Sequence, residues 1–269
     1  MIRKILLIIA LSVMLSANLD MKIKDLLGNS DYNTHKNLIN HIFSNESNFY
    51  TNNQIDYTRI IQELMNNGVL KLNLSSTQDI SVTFNVNSNP KKSLKNLNDI
   101  LKAIGQPNFI TKEEIIVDNN LRWSIQLKTA AAISPLRLSQ ELQSINCRIV
   151  DIKREGDYNW SYSIDTTNSS IYKEENLENN NQLSLRKPLK PYMIKVANAS
   201  VITIKSNSGN TWFPSVVFYD NGLNIIGIYE ENSLQKSLKL EVPDNTKYIK
   251  IDDLYTLANL KQGINITKE

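Results

Sequence analysis

The sequence predicts an α+β domain followed by an antiparallel β-sandwich, and three observations point there. Between residues 67 and 165, a proline-led helix, a strand, a tight turn and a tryptophan-bearing strand occur twice. From residue 191 onward helical periodicity stops, and short apolar runs alternate with turn residues at intervals of about ten positions. Ahead of both, residues 1–17 and 18–66 read as a leader and a helical lead.

Arg3 and Lys4 give the leader a basic start, residues 5–15 an apolar run, and Ser16 and Ala17 the small residues of a cleavage site. The run is shorter than the ~20 residues that span a bilayer. Cleavable export to the periplasm is therefore the expectation, with an uncleaved anchor as the alternative. No later segment reaches spanning length, and no cysteine follows the run for lipid attachment. In the lead, Leu38, Ile39, Ile42 and Phe43 recur at helical spacing, as do Tyr57, Ile60, Ile61, Leu64 and Met65, with an Asn/Ser-rich loop over 44–54 between them.

In the α+β domain (67–165), residues 69–74 and 80–86 read as strands. Pro90 then opens a helix through Leu94, Leu97, Ile100, Leu101 and Ile104, ended by Gly105. Residues 109–117 form the next strand. Leu121, Trp123, Ile125 and Leu127 alternate with Arg122, Ser124, Gln126 and Lys128, the mark of a half-buried strand. Ser134-Pro135 starts a second helix through Leu136, Leu142 and Ile145. A strand over 147–153, a turn at 155–157 and an alternating strand through Tyr158, Trp160, Tyr162 and Ile164 follow. The implied order, β-β-α-β-β-α-β-β, is a duplicated β-β-α pattern. Its helices should cover one face of the sheet, in the manner of ferredoxin-like folds.

Residues 166–190, with Ser169-Ser170, three glutamates, Asn179-Asn180-Asn181 and Pro188, read as a linker. Six short strands follow in 191–269, over 192–197, 200–205, 215–219, 225–229, 237–242 and 248–252, separated by Gly/Asn/Pro turns.

Two resemblances arise from these patterns. Over 80–126, the strand, the apolar helix around Leu94, Leu97, Ile100 and Leu101, the glycine and the strand hairpin resemble the ring-building modules of secretins and other envelope machines. That resemblance implies side-by-side assembly in the periplasm without an active site. The run Val217-Phe218-Tyr219-Asp220 and the Pro243-led strand through Tyr248 and Ile251 resemble galactose-binding-like, jelly-roll modules. That likeness implies a sandwich fold and the option of sugar binding. The Asn/Lys/Ile-rich composition resembles that of exported proteins from AT-rich Gram-negative bacteria.

Composition narrows the chemistry. The 269 residues include one cysteine and two histidines, with 30 basic and 27 acidic residues for a net charge of +3. Removing residues 1–17 leaves 28 basic against 27 acidic residues. An intrachain disulfide is impossible, and the near-neutral balance disfavours nucleic acid as a partner. His35 and His41 stand six apart, about 240° around a helix, and cannot share a metal ion. No Gly-x-Ser-x-Gly, Walker or dinucleotide loop is present, and Cys147, just after a helix, reads as a small buried apolar residue.

No cofactor and no catalytic residue is expected. Ligand contact is assigned to Trp212, Phe213, Tyr219 and Asp220, where Trp212 in a predicted loop either stacks on a sugar or caps the core. A clustering of Asp220, Asp252 and Asp253 around a pocket would favour a carboxylate hydrolase. Trp123 and Trp160 read as core. The functional expectation is a non-enzymatic periplasmic scaffold or adaptor whose partners are other envelope proteins or further copies of itself. The alternative is a carbohydrate- or peptidoglycan-binding protein.

Overall fold

The computed structural model describes residues 18–269, and the predicted leader, residues 1–17, lies outside the described residues. The chain is a mixed α+β protein with several sheets. The described residues divide into two compact units, the first ending at Ser169 and the second Ser170–Glu269.

The first unit opens with helices over residues 18–27 (α1), Asn29–Thr34 (α2) and Lys36–Ile42 (α3). A small hairpin, Tyr50–Thr51 (β1) with Gln54–Ile55 (β2), turns through Asn52 and Asn53 at φ 52° and 60°. Helix α4 (Tyr57–Asn66) follows, capped by the Asp56 side chain on Arg59 N–H, with Tyr57, Ile60, Ile61 and Leu64 buried. The elements β3 (Asn73–Val86), α5 (Pro90–Ala103), β4 (Ile110–Val117), β5 (Asn120–Ala131), α6 (Pro135–Gln143), β6 (Arg148–Glu155) and β7 (Asn159–Asp165) build one five-stranded sheet. Its order is β4-β5-β3-β7-β6.

Residues 69–74 differ from the strand their composition suggests. Gly68, at φ +67°, donates to the Met65 carbonyl, and Val69 donates to that of Leu64. This double bond closes α4 and leaves buried Val69 packing back over its last turn. Only residues 73–74 of that stretch are strand, and they open the long strand β3, which contains the second predicted strand. The same closure ends α5 at Gly105 and α6 at Asn146, which holds φ +58° in place of a glycine. Cys147 is the buried residue that follows it. Of ten non-glycine residues with positive φ among those described, seven are asparagine, so the asparagine excess serves left-handed turns.

The strand directions give this sheet a symmetry. β5 runs antiparallel to β3 on one side, and β7 runs parallel to it on the other. A half-turn about an axis normal to the sheet through β3 therefore takes the hairpin β4–β5 to the place of β7–β6. Each outer strand also carries a bulge at the corresponding position, Lys112 in β4 and Val150 in β6. Phe84, Trp123 and Tyr162 form the aromatic centre on the buried face, with ring centroids 5.6 and 5.8 Å from that of Phe84.

The lead breaks this symmetry, because it docks on the α6–β6 side. Asp151 accepts from Lys22 Nζ at 2.9 Å and from the Tyr57 hydroxyl at 3.0 Å. Arg154, its side chain 8% exposed, reaches the Leu27 carbonyl at 3.4 Å and Asp31 at 3.2 Å while lying over the Trp160 ring. Replacing Arg154 with alanine should cost about 2 kcal/mol, since its carboxylate partners are partly solvated. Faster amide exchange in residues 18–66 would report the loosened lead. Unchanged exchange there would show that Arg154 does not fasten it.

In the second unit, β8 (Glu175–Asn176), β10 (Tyr192–Lys195), β12 (Pro214–Tyr219), β13 (Ile225–Glu230) and β15 (Tyr248–Asp253) form a sheet of order β13-β12-β15-β10-β8. β9 (Gln182–Leu185), β11 (Val201–Ser206), β14 (Ser237–Glu241) and β16 (Ile264–Lys268) form a second, β14-β11-β16-β9. Alternate residues from both sheets, among them Ile194, Ile204, Phe218, Ile251 and Ile266, meet in one core. All six predicted strands are present.

Two features depart from the expectation. β8 pairs parallel to β10, so that sheet is not wholly antiparallel, and residues 166–190 contribute two strands. The reason lies in side chains the composition of that stretch hides: Leu177 and Leu185 are buried in the shared core. Gly263 lets β16 approach β9, since a Cβ there would stand 2.0 Å from the Leu185 carbonyl oxygen.

Candidate functional site

The face of the first unit's sheet away from the helices is open. Here β3, β5 and β7 present Asn85, Arg122 and Ser163, the polar half of the alternation that buries Phe84, Trp123 and Tyr162. These residues floor a cleft of about 520 Å³. Ile115 and Val117 of β4 form one rim, and Val150 of β6 lies on the other side. Two guanidinium groups face the cleft. Arg122 Nε bonds Glu113 at 2.7 Å, and Arg148 reaches Asp165 at 3.3 Å. Hydrogen-bond donors over the floor with apolar rims suit contact with a protein segment.

Burial alone would push the Asp165 carboxyl up. Hydrogen bonds from the Thr167 side chain and backbone, from Asn87 and from Arg148 outweigh that and hold it at about 2. With its folded value below the ordinary 3.8, the stabilisation it gives is complete above that pH and lost as the pH falls through 2. Acid titration of unfolding should show about 1–2 kcal/mol lost over that window, after allowance for the solvated part of the site. Asp165→Asn should lack the step; equal slopes in both proteins would contradict the assignment.

Strand β4 is the more unusual feature. Register places Ile116 opposite Leu121, on the helix-facing side, and Ile115 opposite Arg122, on the open side. Yet Ile115 is 43%, Ile116 47% and Val117 57% exposed, so neither face of the strand is covered. Among the described residues no strand pairs with its outer edge. The equivalent edge, β6, has the lead packed beside it. An uncovered apolar edge is the kind of surface proteins normally shield with charge, short length or a covering element. The charges of β4, Lys112, Glu113 and Glu114, stand in mid-strand and leave residues 115–117 without one.

The ligand residues expected from sequence do not assemble. Trp212 is completely buried, so the exposure that sugar stacking requires is absent and the core-capping alternative describes it. Its Nε1 donates to the Asp252 carbonyl at 2.9 Å. Phe213 is half-buried and packs edge-on against Tyr255, with centroids 5.1 Å apart. Tyr219 ends β12 and Asp220 follows it, on the order of 20 Å of strand from Trp212. Asp220 is occupied within its own turn, accepting from Gly222 N, Asn224 N and Asn224 Nδ2, each at 2.8 Å.

Asp252 and Asp253 are likewise apart from Asp220. Asp252 pairs with Lys250 at 3.3 Å, and buried Asp253 accepts from Phe213 N, Tyr255 N, Thr256 N and Asn259 Nδ2. Among the described residues no three His, Cys, Asp or Glu side chains are grouped to hold a metal. His35 stands at the junction of α2 and α3 and His41 near the end of α3, so the two share no single helix. Burial, the charge of Asp165 and, opposing them, that of Lys92 leave the Cys147 thiol pushed up to about 12, the setting of a buried structural cysteine. Trp123 and Trp160 lie in the core, as their alternation indicates.

Set beside known proteins, the chain matches no family model and no curated protein.

Proposed function

We propose that this chain is a non-enzymatic scaffold or adaptor of the cell envelope, exported through residues 1–17 and acting through protein–protein contacts. One observation carries the reading. Of two equivalent sheet edges in the first unit, β6 has the helical lead packed beside it, whereas among the described residues no strand pairs with β4, whose three consecutive apolar residues are exposed on both faces. The adjoining cleft, with Arg122 and Arg148 over a polar floor, extends the same surface. Aliphatic side chains flanked by guanidinium groups and excluded from neither water nor partner are typical of contact surfaces.

The finer fold reading belongs to the same proposal. Helix-then-hairpin units on either side of β3 support a duplicated, ferredoxin-like module of the ring-building type. Nine strands in two sheets around one core support a jelly-roll-like second unit. The sugar-binding alternative loses its carrier, because Trp212 is in the core.

The test is a size comparison in the native envelope. Wild-type protein, extracted gently, should migrate in a complex larger than the chain, and Ile115→Lys with Ile116→Glu should collapse it to free chain. Wild-type protein that is a lone monomer, or a complex indifferent to the double substitution, would contradict the reading.

A further inference from the structure

Resting on that reading of β4 as a contact surface, we propose that β4 pairs antiparallel with β4 of a second copy of this chain, with Ile115 on the two-fold axis. The geometry leaves one register. The bulge at Lys112 interrupts the edge, so a ladder can form only over residues 113–117. The hairpin to β5 turns through two residues, Asp118 and Asn119, at φ 56° and 94°, and Val117 opposite Asn120 closes it. The closing pair of such a hairpin exchanges its backbone bonds inward, and the pattern alternates. Val117, Ile115 and Glu113 therefore bond toward β5, while Glu114 and Ile116 turn their N–H and C=O groups outward.

Residues directly opposed in an antiparallel ladder share a face, so a residue on the axis must oppose itself. An axis on Glu113 or Glu114 would set like carboxylates face to face, and one on Val117 would leave only that residue paired within the ladder, its neighbours facing the turn at Asp118 and Asn119. An axis on Ile116 would set Glu114 against Asp118. An axis on Ile115 sets Glu114 opposite the second copy's Ile116, Glu113 opposite its Val117, and Lys112 beside its Asp118. That register sets no like charges opposite each other, brings Lys112 and Asp118 together just outside the ladder, and lets Glu113 keep its own Arg122. The outward-turned backbone groups of Glu114 and Ile116 meet their counterparts, and Ile115, Ile116 and Val117 each gain a cross-strand neighbour on their own face. The interface is isologous, and it joins two five-stranded sheets edge to edge.

Sedimentation of the purified full chain tests the pairing. The wild type should be a dimer. Ile116→Glu, which places a carboxylate opposite Glu114, should raise its dissociation constant about tenfold or more. The register is read by cysteine substitution, because a non-hydrogen-bonded pair sets Cα atoms ~4.5 Å apart, within disulfide reach. Under copper-catalysed air oxidation, Ile115→Cys should form a covalent dimer. Val117→Cys, about 13 Å from its counterpart, should not; native Cys147 is buried in both variants. A wild type that is monomeric at every concentration, or linkage through Val117→Cys in place of Ile115→Cys, overturns the proposal. A monomer whose β4 crosslinks to a different envelope protein overturns self-pairing and leaves the contact reading standing; a monomer with no such crosslink sinks both.

Discussion

Replacing Trp212 with alanine is expected to destabilise the second unit by about 3–5 kcal/mol, the range for emptying a large aromatic from a packed core. The indole is wholly buried among residues of both sheets. It also satisfies the Asp252 carbonyl at 2.9 Å, while its own carbonyl accepts from Gln235 N at 3.0 Å. Trp212→Ala therefore removes both packing and a hydrogen bond, whereas Trp212→Phe keeps most of the packing and should cost less than half as much. Denaturant unfolding followed by circular dichroism measures the difference. A loss below about 1 kcal/mol would place the ring outside the core.

Asp253→Ala should be about as damaging, on the order of 3–5 kcal/mol. One buried carboxylate accepts from three backbone N–H groups, those of Phe213, Tyr255 and Thr256, and from the Asn259 amide. Deleting it leaves those donors unpaired and frees the loop that leads into the 3₁₀ turn Leu257–Leu260, where Leu260 is buried. Asp253→Asn keeps one acceptor oxygen and should recover part of the loss. Because Phe213 N joins Asp253 to the chain beside Trp212, the two alanine substitutions should combine to less than the sum of their effects. Strict additivity would show that the loop is not one cooperative piece.

Much of the fold was legible because burial imposes a period. The alternation Leu121, Trp123, Ile125, Leu127 is the buried face of β5, and the prolines at 90 and 135 stand at the first positions of α5 and α6. Where an apolar pair serves a helix end, as Val69 and Leu70 do, the same residues imitate a strand. Strand β16 is not among the strands expected from the sequence, although Ile264 and Ile266 alternate in it. Leu177 and Leu185 sit in Asn- and Glu-rich surroundings that resemble a linker, and only the completed core shows why they are there.

The candidate site was less legible. Ile115-Ile116-Val117 belongs to the predicted strand over 109–117, and an apolar run by itself does not report what lies against it. That β4 lies at an edge depends on the order of five strands and on which side the lead docks. Both are set by long-range pairing such as Lys22 and Tyr57 with Asp151. Trp212 left two readings open, sugar stacking or core capping, because a tryptophan outside an alternating run gives no local sign of whether a core closes over it.

The claim that β4 is the working surface is tested most directly by placing a photoreactive side chain at Ile116 and irradiating cells that make the full chain. The expected result is one discrete adduct from Ile116, at the mass of two copies or of one copy with a partner, and none from the same side chain at Lys128, beyond the exposed run on β5. Free chain alone from Ile116, or adducts equal at both positions, would contradict a specific contact at this edge.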